Sequence, residues 1–373
     1  MIPRILQNTI EQKLGERKAL IILGARQTGK TTLIKAISNK LDQVLLLNAD
    51  EPDVQALFEN SSSSRLKSFF AGYKTIIIDE AQRLKDVGLK FKLIIDQISE
   101  VQLIATGSSA FELANQTNEP LTGRKWEFQL YPLSFKELVN YQNLIEERRL
   151  LHHRLVFGSY PEIITSNGNE KELLKQLTDS YLYKDILMWE RIKKPEKLLK
   201  LMQALAFQLG NEVSYNELGQ MIGLDNQTVE KYIQLLEKTF VIFRLGAFSR
   251  NLRKELKKSR KIYFFDNGIR NALIANFNIA ELRSDIGALW ENYLISERVK
   301  FLHYHQIWAN YWFWRTQDQQ EIDYLEERDG KNYAWEFKWS PRAKVRLSKT
   351  FSKAYPNHEF ETITPENYDS FLM

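Results

Sequence analysis

The chain reads as a multidomain α/β protein whose first third is a parallel sheet wound by helices. Three observations predict this. Short apolar runs at Ala19–Leu23, Val44–Leu47, Thr75–Ile78 and Val101–Ala105 alternate with helical stretches, as in sheets that hold a ligand beyond the strands' C-terminal ends. Three of those ends carry polar groups that face one such site: Gly24–Thr31, Asp79 with Glu80, and Thr106-Gly-Ser108-Ser109. A strand is inserted between the loop strand and the Asp-Glu strand, the arrangement of the ASCE type of P-loop NTPase.

The first strand end is the most specific. Gly24-Ala25-Arg26-Gln27-Thr28-Gly29-Lys30-Thr31-Thr32 matches G-x-x-x-x-G-K-[ST], a loop whose backbone N–H groups converge on phosphate oxygens. Lys30 would neutralise the β- and γ-phosphates and Thr31 would hold Mg²⁺. Thr31–Leu41, with apolar Leu33, Ile34 and Ile37, reads as the helix that leaves the loop. At the third strand end, Asp79 would bind Mg²⁺ through water and Glu80 would polarise the attacking water. At the fourth, a hydroxyl such as that of Ser108 would either sense the γ-phosphate or cap a turn. Gln82 and Arg83 open what reads as a solvated helix.

Length and charge set wider bounds. At 373 residues and 43% hydrophobic the chain has room for several cores. Its net charge of +5 permits a nucleic-acid partner without requiring one. The absence of cysteine excludes disulfides and thiolate metal sites and suits a cytoplasmic protein. The histidines His152, His153, His303, His305 and His358 have no zinc-ligand spacing. No apolar run approaches membrane-spanning length, and Met1–Leu14 reads as an amphipathic lead-in helix.

The ordered series Gly24–Thr32, Ile78-Asp-Glu-Ala-Gln82, Thr106-Gly-Ser-Ser109, Leu121-Thr-Gly-Arg124, Pro132-Leu-Ser-Phe135 and Gly158-Ser-Tyr-Pro161 resembles the bacterial and archaeal AAA-superfamily ATPases that carry a C-terminal domain of unknown function. The resemblance spans nearly the whole chain. It implies ATP binding and hydrolysis, with Mg²⁺, in residues 1–138. It also implies an arginine-finger or sensor role for Arg124; a finger acting in trans would require a homo-oligomer. Gly158–Pro161 and Asp266-Asn-Gly-Ile-Arg270 fit the family's pattern and read as packed turns.

Residues 139–194 are helix-patterned and read as a lid or connector. Residues 195–280 read as a winged helix. Ser214-x-x-Glu217 looks like a capping box and starts a short helix with Leu218, Met221 and Ile222 on one face. Gly223 turns the chain, Asp225 or Asn226 caps a second helix, and Val229, Ile233, Leu236 and Phe240 have its apolar spacing. Val241–Leu245 and Lys261–Phe265 would be the two strands of the wing. Its tip, with Arg250, Arg253, Lys254, Lys257, Lys258, Arg260 and Lys261 against Glu255, suits the phosphate backbone of DNA. Asn226, Gln227, Lys231 and Gln234 would face a groove. The bland alternative is a protein-binding module with a soluble hairpin.

Residues 281–373 carry a different signal. Tyr333–Trp339 alternates as a strand does, Glu321–Leu325 is a second strand, and Asp329-Gly330 marks a tight hairpin. A two-residue turn places Asp323 opposite Glu336, with Lys338 on the same face as Glu336. With Glu291 from an upstream helix, this is the Asp…Glu-x-Lys constellation of restriction-endonuclease-like nucleases, with Glu291, Asp323 and Glu336 as Mg²⁺ ligands and Lys338 catalytic. The alternative is a vestigial nuclease fold that only scaffolds. Two functions follow: an ATP-driven, DNA-associated enzyme, or a nucleotide-dependent signalling or scaffold switch that binds protein.

Overall fold

The computed structural model describes all residues except 60, 109–120, 167, 180–193, 249–259, 317 and 344. Ser109, much of the end of the expected connector, and Arg250, Arg253, Lys254, Glu255, Lys257 and Lys258 of the expected wing tip lie outside the described residues. The chain forms two compact units. The first holds Met1–Leu133 with Lys238–Phe240, and the second holds Ser134–Glu237 and Val241–Met373.

In the first unit, helix α1 (Ile5–Gln12) precedes strand β1 (Ala19–Leu23) and helix α2 (Lys30–Ser38). Then come β2 (Val44–Asn48), α3 (Pro52–Glu59), α4 (Ser63–Phe69), β3 (Thr75–Asp79), α5 (Val87–Gln97), β4 (Gln102–Gly107) and β5 (Lys125–Gln129). The five strands run parallel in the order β2-β3-β4-β1-β5, so β4 stands between the loop strand β1 and the acidic strand β3. All residues of β1 and β3 are buried. Continuous apolar runs are what a parallel strand covered on both faces needs, and each fully buried Ile or Leu contributes roughly 1.5–3 kcal/mol. After Asp79-Glu80, Ala81–Arg83 forms a single 3₁₀ turn where a helix opening was expected.

The second unit opens with helices α6 (Phe135–Tyr141), α7 (Leu144–Arg149), α8 (Leu151–Phe157) and α9 (Pro161–Ile164); residues 170–179 are also helical. A full capping box forms at α6, where Ser134 and Glu137 exchange both bonds. The expected box at Ser214 is only half made: Glu217 N–H donates to Ser214 Oγ at 3.4 Å, and the return bond is not formed.

Next come α10 (Pro195–Phe207), β6 (Glu212–Val213), α11 (Tyr215–Ile222), α12 (Asn226–Lys238), β7 (Ile242–Gly246) and β8 (Arg260–Phe264), with a small antiparallel sheet ordered β6-β8-β7. Gly223 ends α11 at φ 71°, a left-handed conformation that suits glycine. Asp225, not Asn226, caps α12, accepting from Thr228 N–H at 2.9 Å. Met221 is exposed and not part of the buried face formed by Leu218 and Ile222.

The two family turns meet in one knot. Asp266 caps helix α13 (Asn267–Leu273) through Ile269 N–H and also accepts from Ser159 N–H at 2.7 Å. Any Cβ on Gly158 would stand 2.1 Å from Asp266 Oδ1, and one on Gly268 would stand 2.2 Å from the Phe157 carbonyl oxygen. Neither contact is tolerable, so both glycines are required by close approach.

The chain ends with α14 (Ile286–Tyr304), β9 (Asn310–Arg315), β10 (Glu321–Arg328), β11 (Lys331–Phe337), α15 (Lys349–Ala354), β12 (His358–Ile363) and α16 (Tyr368–Leu372). The sheet order is β12-β11-β10-β9, antiparallel except for β11 with β12. Tyr324 pairs with Trp335 and Arg328 with Lys331, the register that a two-residue Asp329-Gly330 turn demands. Both turn residues have positive φ, 52° and 74°. One face packs Trp314, Ile322, Leu325, Ala334 and Phe351. Tyr324, Trp335 and Phe337 lie against Phe371 of α16 on the other.

Candidate nucleotide site and the C-terminal carboxylate cluster

The loop between β1 and α2 is shaped from both sides. Gly24 passes so close to β5 that a Cβ there would stand 2.2 Å from the Leu130 carbonyl oxygen. Its glycine is therefore required by packing as well as by any ligand. Gly29 takes φ 94° and Gln27 takes φ 57°. A non-glycine residue in that region costs about 1–3 kcal/mol and is held only where its surroundings demand it. Lys30 is buried and donates to the carbonyls of Gly24 and Ala25, both at 2.9 Å. Thr28 Oγ1 donates to Ala25 O at 2.8 Å. Gln27, Thr31 and Thr32 are exposed and Arg26 is partly exposed, which leaves the mouth of the loop open to solvent.

Arg4, before α1, completes the loop and was not anticipated. Its guanidinium is buried and donates to Thr28 O at 2.5 Å and Tyr131 O at 2.7 Å. Two carbonyls far apart in sequence are thereby tied to one fixed fork, and the charged group is fully engaged. An Arg just before a helix carries no local signal of this role.

The strand ends bring the acidic pair to the loop. Thr31 Oγ1 donates to Asp79 Oδ2 at 2.8 Å. Thr106 Oγ1 donates to Asp79 Oδ1, and the same hydroxyl accepts from Glu80 N–H at 3.2 Å. The hydroxyl on the acidic pair is thus Thr106; Ser108, the hydroxyl expected to sense the γ-phosphate or cap a turn, is buried two residues further on. The reason is register: Ile78 pairs with Ala105, so Thr106 stands beside Asp79, whereas Ser108 lies past the end of β4. Glu80 adopts φ 53°, again left-handed, and its carboxylate accepts from Gln82 Nε2 at 2.5 Å.

Arg124 stands elsewhere. Its carbonyl accepts from Ala19 N–H at 2.9 Å, at the beginning of β1, whereas the phosphate loop follows the end of that strand. Five strand residues separate those ends by about 16 Å. Its guanidinium pairs with Asp96 at 2.7 Å. A sensor role within the same site is therefore corrected: the parallel sheet carries Arg124 to the opposite edge.

The C-terminal carboxylates come together only in part as expected. Asp323 Oδ2 accepts from Phe337 N–H at 2.7 Å, and Lys338 Nζ lies 2.8 Å from Glu336 and 3.8 Å from Asp323. Burial, then the neighbouring Asp323 charge, pushes the Glu336 carboxyl up to about 7. Burial opposes the charge on Lys338, but Asp323 and Glu336 outweigh it and raise its pKa. Glu291, expected as a third metal ligand, is instead engaged by Lys261 at 3.0 Å and by Tyr263 OH at 2.5 Å. Among the described residues no group of three or more His, Asp or Glu side chains is arranged to hold a metal ion. The residues present therefore do not fit the expected Mg²⁺ set. Lys261 is also corrected: it is buried between carboxylates and not part of a solvated basic tip.

Comparison with known proteins agrees with the first unit's geometry. Residues 16–139 match the AAA domain model, residues 148–280 the domain of unknown function DUF8612, and residues 286–366 the domain of unknown function DUF4143. An uncharacterized protein of Haemophilus influenzae is 26% identical over 284 residues, 68% of each chain. One from Methanocaldococcus jannaschii is 24% identical over 346 residues, 86% of this chain and 75% of that one. The fold is similar to that of the Walker-type ATPase PABY2304 of Pyrococcus abyssi, with TM-score 0.52 and 15% identity, covering 74% of this chain and 96% of the other. A parallel sheet that brings a phosphate loop, Asp79 and Glu80 to one end gives residues 16–139 the fold of a P-loop ATPase domain of the AAA type. In particular, the chain is one that carries a C-terminal DUF4143 domain. No helix among the described residues is long and apolar enough to cross a membrane.

Proposed function

We propose that the chain binds and hydrolyses ATP at Gly24–Thr32, and that nucleotide state controls how the second unit engages DNA. The observation that carries the first half is the Thr31–Asp79–Thr106 chain of hydrogen bonds with Glu80 beside it. Thr31 and Asp79 fit a Mg²⁺ ion: both are oxygen donors, already within 2.8 Å of each other at the mouth of the loop. Such an ion supplies charge neutralisation to the phosphates.

The chain's own residues do the rest. Lys30, which satisfies itself on two loop carbonyls, exchanges them for phosphate oxygens. Thr106 holds Asp79 in one orientation. Glu80 accepts a proton from the attacking water, and Gln82 holds its carboxylate until that water is in place. Arg124 reaches phosphate only in a neighbouring copy, so a finger role there requires a homo-oligomer.

For the second half, support comes from the order helix, short strand, helix, Gly turn, helix, two strands over residues 195–264, which is that of a winged helix. Helix α12 presents Asn226, Gln227, Lys231 and Gln234 to solvent, donors and acceptors suited to base edges. The β10–β11 hairpin supports a restriction-endonuclease-like reading of the C-terminal sheet, and the engagement of Glu291 by Lys261 favours the scaffold form of that reading over cleavage. The test is the ATPase rate with and without duplex or single-stranded DNA. Stimulation by DNA supports the reading. An ATPase unaffected by DNA leaves the protein-binding switch in its place, and no ATP turnover at all defeats the first half.

A further inference from the structure

Lys261 sits where several carboxylates converge. It comes from β8 of the small three-stranded sheet, while its partners come from α14 and β10 of the C-terminal segment. Its side chain is 4% exposed, and Nζ lies 3.0 Å from Glu291 Oε1 and 2.6 Å from Glu321 Oε1. Asp323, two residues further along β10, adds its charge to the same ammonium. Tyr263, two residues along β8, donates its hydroxyl to the same Glu291 oxygen. The ammonium also lies over the Phe313 ring, with Nζ 5.4 Å from its centre.

Four carboxylates, Glu291, Glu321, Asp323 and Glu336, thus share a poorly hydrated region with two lysines, Lys261 and Lys338. Carboxylates held together out of water need a cation or a proton between them. Lys338 serves Glu336 and Asp323. Glu291 and Glu321 receive Lys261.

We propose that the Lys261 ammonium is the built-in cation of this cluster, closing the C-terminal carboxylates to divalent metal for as long as β8 carries it there. An ammonium offsets one unit of the cluster's negative charge and has three donors, enough to bridge Glu291 and Glu321. Removing it leaves four carboxylates against one lysine, an excess of negative charge that a hard divalent cation would offset once the carboxylates turn toward it. The expected nuclease-like constellation is therefore latent, and the residue that silences it lies outside the hairpin. This inference does not depend on the ATPase reading.

The test is Mn²⁺ binding by the full chain without nucleotide, followed by calorimetry and by the metal's effect on thermal midpoint. Wild type is expected to bind Mn²⁺ weakly. Lys261→Ala is expected to unfold at a lower temperature without metal, to bind Mn²⁺ at least about tenfold more tightly than wild type, and to regain stability with it. Adding Glu291→Gln to that variant abolishes the gain. Where Lys261→Ala does not fold, the charge-balanced Lys261→Met/Glu321→Gln carries the same comparison. Tight wild-type binding that Glu291→Gln removes overturns the proposal, as does a folded lysine variant with no gain in Mn²⁺ affinity.

Discussion

Thr31 Oγ1 and Asp79 Oδ2 lie 2.8 Å apart, joining the start of α2 to the end of β3 across 48 residues of sequence. This contact makes one site of two sequence motifs. It also orders the roles around it: Lys30 and Thr31 for phosphate and metal, Asp79 for the metal's water, and Glu80 for the attacking water.

Glu80→Gln keeps size and most hydrogen bonding but cannot take a proton. It is expected to bind ATP as wild type does and to lose about 10²- to 10⁴-fold in turnover. Lys30→Ala is expected to lose binding itself. Fluorescent-nucleotide titration and phosphate release separate the two; an unchanged hydrolysis rate in Glu80→Gln removes Glu80 from the mechanism.

Thr106→Val keeps shape and deletes the hydroxyl that holds Asp79 and accepts from Glu80 N–H. Groups that orient a metal-binding carboxylate commonly contribute about 10- to 100-fold in metal affinity or activity. The expected signature is a raised Mg²⁺ requirement for hydrolysis. The corresponding Ser108→Ala is expected to matter less. Equal Mg²⁺ dependence in Thr106→Val and wild type would reject the assignment.

Arg4→Met keeps the stem and removes the fork on Thr28 and Tyr131. Two carbonyls then lose a charged donor, at a cost of about 1–3 kcal/mol. Thermal unfolding should shift down, and ATP affinity should fall although residue 4 touches no phosphate. If affinity holds while stability drops, Arg4 supports the fold and not the loop.

Glu336 links stability to pH. Its folded pKa of about 7 lies above the ordinary 4.5 because of burial and then Asp323. The folded state therefore holds a proton that the unfolded state gives up between those values. Stability from this group is complete below about pH 4.5 and declines as pH rises to about 7, by on the order of 3 kcal/mol at most. Glu336→Gln should flatten that part of the thermal-midpoint profile. A slope identical to wild type would show that Glu336 is not the linked group.

Much of this was legible along the chain. Apolar strands announce themselves when both faces are covered, and β1 and β3 are buried throughout. The β10–β11 register follows from turn chemistry alone, because Asp329-Gly330 permits a two-residue loop and side chains then alternate with period two. The roles of Gly158 and Gly268 were legible only as motif matches. Their physical reason, contact with Asp266 and Phe157, joins segments more than a hundred residues apart.

The sequence by itself determined the local chemistry: a phosphate loop after a buried strand, two carboxylates after another, and a tight acidic hairpin. Local backbone preference and side-chain periodicity suffice for those. The tertiary structure decided which groups meet. It set Thr106 rather than Ser108 on Asp79, sent Arg124 to the far edge of the sheet, tied Arg4 to the loop, and placed Lys261 among the C-terminal carboxylates. Those outcomes depend on sheet order and on packing between distant segments, and an ammonium's partners are settled by where burial leaves the carboxylates, not by neighbours in sequence.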